Sequence, residues 1–136
     1  MKTARPKLFV YGTLLSGGTH EMARYLRAHA DCLGRAELAG ARLYLVDQHP
    51  GVVRDTSART TVKGELFELH DADVLARLDR YEDCDLESPA DSEYLRRQRL
   101  VRLGRTRRVR AWVYEYNRPV AGLAPIANGT YRPLRA

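Results

Sequence analysis

The apolar positions change their spacing several times along the chain, and each change marks an element. Lys7 to Tyr11 (KLFVY) is an unbroken apolar run rich in β-formers, which predicts a buried strand. It stops at Gly12, and Gly17 and Gly18 follow soon after, so a strand ends in bare backbone. The next stretch, THEMARYLRAHA (19–30), suits a helix with Thr19 as N-cap and Met22 and Leu26 on one face. CLGRAELAGARLYLVD (32–47) reads as two short strands broken at Gly40, and PGVVR (50–54) as another. In TVKGELFELH (61–70), Val62, Gly64 and Leu66 alternate with Lys63, Glu65 and Phe67, and Leu69 continues the second set, which predicts a strand. Asp71 is then placed to cap a helix over ADVLARLDRYE (72–82), whose apolar face is Val74, Leu75, Leu78 and Tyr81. The polar segment CDLESPADSE (84–93) reads as a surface loop. YLRRQRLVRL (94–103) and RVRAWVYEYN (108–117) form a long hairpin around Gly104. Residues 118–136 hold three prolines, show no period and read as irregular.

Many strands and two helices in strand-heavy order predict a single α+β domain over residues 1–136, with a small barrel or curled sheet. The composition agrees with a globular domain: 44% hydrophobic and 29% charged. No apolar run approaches the length of a membrane span. The N-terminal stretch runs straight into a strand without a signal-type hydrophobic region. The expectation is therefore a cytoplasmic protein. Cys32 and Cys84 are isolated and the four histidines are scattered, so neither a disulfide framework nor a metal site is expected. The net charge of +6 rests on 20 Arg and only 3 Lys, a bias that by itself points to no partner.

Three features carry candidate chemistry. Gly12 to Thr19 departs from a phosphate-binding loop in one residue, but that residue is the phosphate-reaching lysine, replaced by Gly18. What remains is either a tight turn or a nest of backbone N–H groups able to hold a small anion such as a carboxylate. LDRYEDCD gathers Asp79, Glu82 and Asp83 at a helix C-terminus, where the helix dipole disfavours anions. A partly buried carboxylate beside Leu78 and Tyr81 would have a raised pKa, as a general acid–base group near neutrality needs. The arginines of residues 96–110 could form a polyanion-binding ribbon for nucleic acid. They fall on both strand faces, however, while Trp112, Tyr114 and Tyr116 share one face as core residues do. That pattern favours a solvated edge hairpin over nucleic acid. No nucleophile set of the Ser/His/Asp or Cys/His kind can be assembled.

FVYGTL before a helix, then VKGELFEL, LDRYED closing a helix, YLRR and AWVYEY occur in one order over residues 7–117. In that order they resemble the gamma-glutamylcyclotransferase family, and LDRYEDC is similar to its branch acting on gamma-glutamylamines. The resemblance implies a small mixed β-barrel flanked by two main helices and a reaction without cofactor or metal. A gamma-glutamyl amine attacks its own γ-carbonyl, releasing 5-oxoproline and a free amine or amino acid. It implies that Tyr11, Gly12, Thr13 and Leu14 hold the α-carboxylate through backbone N–H groups and that Glu82 is the catalytic acid–base. Tyr94, Arg96 and Tyr114 are the further substrate-site markers. The partner implied is a small gamma-glutamyl compound. The chain departs from the family in its longer segment between Glu82 and Tyr94, and in Asp83, which stands where glycine is common.

Overall fold

The computed structural model describes residues 5–12, 14, 21–46, 49–126 and 129–130. In chain order the elements are β1 (Lys7–Val10), α1 (Glu21–His29), β2 (Ala30–Ala39), β3 (Ala41–Val46), β4 (His49–Arg54), β5 (Thr61–Leu69), α2 (Asp73–Tyr81), β6 (Tyr94–Leu103), β7 (Arg107–Tyr116) and β8 (Ala124–Pro125). The strands lie in the order β1-β5-β2-β6-β7-β4-β3-β8, and a further β1–β7 pairing joins the first strand to the fifth. Five strands, β1-β5-β2-β6-β7, thus close into a mixed barrel, while β4, β3 and β8 extend from β7. The closing pair is parallel, with Leu8 opposite Trp112 and Phe9 opposite Val113, whereas the other barrel pairs are antiparallel.

The period-two alternation explains why one sheet encloses two cores. Phe9, Val62, Leu66, Ala111 and Val113 point into the barrel, joined by Leu43, Val52 and Val101. Their neighbours Leu8, Val10, Phe67, Leu69 and Tyr114 point outward against Met22 and Leu26 of α1 and Val74, Leu75 and Leu78 of α2. Beyond Lys7 neither face of β1 meets water, so its apolar run reads as a buried strand, whereas β5 is buried on both faces only at Leu66 and Phe67. Trp112 and Tyr116 pack at the margin of the helix-side core, as their shared face predicts.

Several local expectations change in three dimensions. The two strands around Gly40 exist, with Gly40 at φ 66°, but the first extends to ten residues and bulges between Cys32 and Gly34. α2 begins at Asp73 rather than Ala72, although the Asp71 carboxylate still accepts the Asp73 N–H at 2.9 Å. The arginine hairpin pairs over ten positions, from Tyr94–Tyr116 to Leu103–Arg107. It is not an edge hairpin, because β6 continues to β2 and β7 to β1 and β4. The tail is not wholly irregular: β8 pairs with β3, and the Gly129 carbonyl accepts the Lys63 N–H at 2.8 Å. Thr19, expected as a helix cap, lies outside the described residues, as do Gly17 and Gly18.

Candidate active site

β6 occupies one edge of β7 along its whole length, so β1 and β4 must share the other. β1 takes it at Trp112 and Val113, and β4 takes it at Glu115. Between them the strands fork, and the Tyr11 side chain fills the fork. Its hydroxyl donates to the Tyr114 carbonyl at 2.5 Å and accepts the Val52 N–H at 3.3 Å. One phenol therefore satisfies backbone groups that a continuous ladder would have paired. The chain bends at Gly12, where a side chain would crowd Pro50: a Cβ would lie 2.4 Å from Pro50 Cγ. A cavity of about 270 Å³ opens beside this fork. Its walls include Tyr11, Gly12 and Leu14 from the end of β1, His49 and Pro50 from β4, Glu82 after α2, and Glu93, Tyr94 and Tyr114.

Glu82 reaches the cavity because of how α2 ends. The Asp83 N–H bonds the Arg80 carbonyl at 3.3 Å and the Cys84 N–H bonds the Asp79 carbonyl at 2.8 Å. This is the Schellman arrangement, with Glu82 at the C-cap and Asp83 in the left-handed slot at φ 52°. The slot favours glycine, which gives a physical reason why an aspartate there is a departure. Cys84 then packs into the helix-side core with Leu78. The carboxyl of Glu82 makes no hydrogen bond or ion pair among the described residues. Burial in the cavity wall, reinforced by the negative charge of Glu93, pushes it up to about 7.

The long 84–93 segment is folded upon itself. Ser92 Oγ accepts the Asp85 N–H at 2.8 Å, Asn117 Nδ2 donates to the carbonyls of Pro89 and Ser92, and Arg118 Nη1 donates to Ala90. The Glu93 N–H bonds the Asp83 carbonyl at 3.0 Å, so the loop has a narrow neck. Of this segment only Glu93 lines the cavity; the rest packs away from it.

The tyrosines around Glu82 keep their protons. Tyr94 donates to the Pro50 carbonyl at 3.0 Å and Tyr114 donates to Asp79 Oδ1 at 2.6 Å. Burial raises the pKa of Tyr11, Tyr94 and Tyr114, and the charge of Glu82 adds to each. Asp79, the competing acid of the cluster, is held elsewhere. Arg96 grips it with Nε at 2.8 Å and Nη2 at 3.0 Å while lying 4.3 Å over the Trp112 ring.

Of the residues singled out in the sequence, Tyr11, Gly12, Leu14, Glu82, Tyr94 and Tyr114 line one cavity. Arg96 does not line it; its guanidinium is committed to Asp79 and Trp112. Thr13 lies outside the described residues. Glu93, His49, Pro50 and Val46 are among the wall residues that sequence reasoning missed. Glu93 carried one usable signal, its place directly before the YLRR segment, whereas nothing in the HPGVVR run marks a cavity wall. No group of three or more His, Cys, Asp or Glu side chains suited to a metal ion occurs among the described residues.

Comparison with known proteins gives the same architecture. The mouse AIG2-like protein crystal structure superposes with a TM-score of 0.71 at 24% identity, covering 96% of this chain and 90% of that one. The solution structure of YtfP from Escherichia coli gives 0.63 at 31% identity, covering 92% and 95%. In sequence, the gamma-glutamylcyclotransferase family protein YtfP of Citrobacter rodentium is 32% identical over 127 residues, covering 92% of this chain and 94% of its own. The family described as "Gamma-glutamyl cyclotransferase, AIG2-like" matches residues 8–133, well into the tail that the motifs alone left out. By fold, by sequence and by the order of its motifs, this chain belongs to the AIG2-like gamma-glutamyl cyclotransferase family.

Proposed function

We propose that this chain cyclises small gamma-glutamyl compounds, gamma-glutamylamines or gamma-glutamyl peptides, to 5-oxoproline with release of the amine or amino acid, and that Glu82 moves the proton. The observation that carries this reading is the Glu82 carboxyl, which faces a small cavity with no cationic partner among the described residues and is pushed up to about 7 by burial. The substrate's α-amine arrives as an ammonium and cannot attack until it loses a proton. A carboxylate of that pKa accepts the proton near neutrality and returns it to the departing nitrogen. The amine nitrogen bonds to the γ-carbonyl carbon, the original amide C–N bond breaks, and no other reactant is consumed. Because the nucleophile and electrophile belong to one molecule, holding the substrate bent is most of the task. The chain at Tyr11 to Leu14 serves that purpose by binding the α-carboxylate through backbone N–H groups. The three tyrosine hydroxyls donate to protein acceptors, which supports Glu82 as the proton carrier.

The experiment is 5-oxoproline release from a panel of gamma-glutamyl compounds by the wild type and Glu82→Gln. Gln preserves the shape and removes the basic site, so turnover should fall by about 10²–10⁴-fold. Retention of more than about a tenth of the activity would exclude Glu82 as the base. Esterifying the substrate's α-carboxylate should weaken binding about ten- to a hundredfold. An ester turned over as well as the acid would reduce the Gly12 bend to a tight turn.

A further inference from the structure

The ionisable side chains lining the cavity are unbalanced. Among the described residues its wall carries two carboxylates, Glu82 and Glu93, with no lysine and no arginine, and His49 is the one basic nitrogen. The arginine nearest in sequence, Arg96, is spent on Asp79. The backbone of Glu93 is pinned on both sides, since its N–H donates to the Asp83 carbonyl at 3.0 Å and its own carbonyl accepts the Asn117 N–H at 2.8 Å. The side chain makes no hydrogen bond or ion pair among the described residues, although it is only partly exposed. Two acids facing one cavity repel each other, and a sequence selected for stability alone would place a cation between them. A cation brought by the ligand relieves that repulsion.

We infer that Glu93 selects gamma-glutamyl substrates whose departing amine bears a second positive charge, such as the conjugate of a diamine or longer polyamine. The inference rests on the reading of this cavity as the cyclotransferase site. A gamma-glutamyl group brings one ammonium, which Glu82 must deprotonate, and one carboxylate, which two glutamates cannot hold. Glu93 is left over after the reaction has been provided for. A distal ammonium on the leaving group matches it in charge, and a leaving group with its own carboxylate is repelled.

Gamma-glutamyl diaminobutane and gamma-glutamyl butylamine are equal in chain length and differ only in a terminal ammonium. In the wild type the diamine conjugate should have a kcat/KM about ten- to a hundredfold higher, the range of one charge-assisted contact. That ratio should collapse to about one in Glu93→Gln and recover in part in Glu93→Asp, with thermal melting showing that both variants fold. Equal kcat/KM for the two substrates in the wild type overturns the inference, as does an undiminished ratio in Glu93→Gln. Equal loss for both substrates in Glu93→Gln also overturns it, because Glu93 would then serve the glutamyl moiety they share. If neither compound is cyclised, the proposed reaction fails, and calorimetric binding of diaminobutane against butylamine still decides the selectivity. Tighter binding of the diamine that is lost in Glu93→Gln supports the inference; indistinguishable binding overturns it.

Discussion

In the proposed reaction Glu82 trades stability for chemistry. Its carboxyl holds a proton up to about 7 in the folded chain, against 4.5 in an unfolded one. Between those values the folded state binds the extra proton, so stability falls as pH rises through the window and the full loss is present above it. At about 1.4 kcal/mol per unit the penalty is at most about 3.5 kcal/mol. Glu82→Gln should therefore unfold at a higher denaturant concentration than the wild type at pH 8, and the advantage should vanish near pH 4. A gap that stays constant across that range would show that the carboxyl is not perturbed. In the wild type, the acid limb of kcat/KM should bend near 7. The sequence narrowed the acid–base group to three acids, and the motif resemblance chose among them. The separation of Glu82 from Asp79 has a physical basis that sequence cannot display: Arg96 and Tyr114, 17 and 35 residues away in the chain, arrive on neighbouring strands to claim Asp79.

Element ends decide where the carboxylates point. The Schellman end of α2 forces Asp83 into the left-handed region, where a non-glycine residue costs about 1–2 kcal/mol. Asp83→Gly should raise stability by about 1 kcal/mol in urea unfolding, with 5-oxoproline release retained. A second element-scale constraint lies where β1 crosses β5. A Cβ on Gly64 would sit 2.0 Å from the Val10 carbonyl oxygen, and backbone cannot yield as a side chain tip can. Gly64→Ala should cost about 3 kcal/mol or more, or leave the protein insoluble, by lifting β1 off the barrel. Gly104→Ala is the control, because a Cβ there meets nothing within 4 Å and only its φ of 65° is penalised, about 1 kcal/mol. If both changes cost the same, the crossing is not the constraint. In the sequence Gly64 was simply one position of an alternating strand. The close approach depends on a partner more than fifty residues upstream.

At the scale of the whole molecule, four of the eight arginines between residues 96 and 110 are paired within the fold. Arg96 pairs with Asp79, Arg97 and Arg99 with the buried Glu115, and Arg102 with Glu37. Arg105, Arg107, Arg108 and Arg110 remain exposed towards the turn of the β6–β7 hairpin, and none of them lines the cavity. A polyanion-binding role would have to rest on that tip. Replacing Arg105, Arg107 and Arg108 together by serine should leave 5-oxoproline release unchanged and reduce retention on heparin only at low salt. Retention persisting at high salt, and lost in the triple variant, would revive the polyanion reading. No helix among the described residues is long and apolar enough to cross a membrane.

By itself the sequence determined most of the elements and their inner faces, because hydrophobic spacing reports local geometry: strand alternation at 62–69, the helical stripe of Val74, Leu75 and Leu78, the turn at Gly104. The order of its short motifs also indicated the family. A small barrel was expected, but tertiary structure alone decided which five strands close on themselves and that β1 and β4 share one edge of β7. It decided as well that Arg96 turns to Asp79 and that Glu93 comes to face the cavity with Glu82. Those outcomes depend on pairings between residues far apart in the chain. A side chain's charge partner or cavity neighbour is set by which strands meet, and one residue's period carries no record of it. Glu82 and Glu93 stand eleven positions apart with a polar loop between them, and only the neck closed by the Asp83 carbonyl and the Glu93 N–H brings them to one wall.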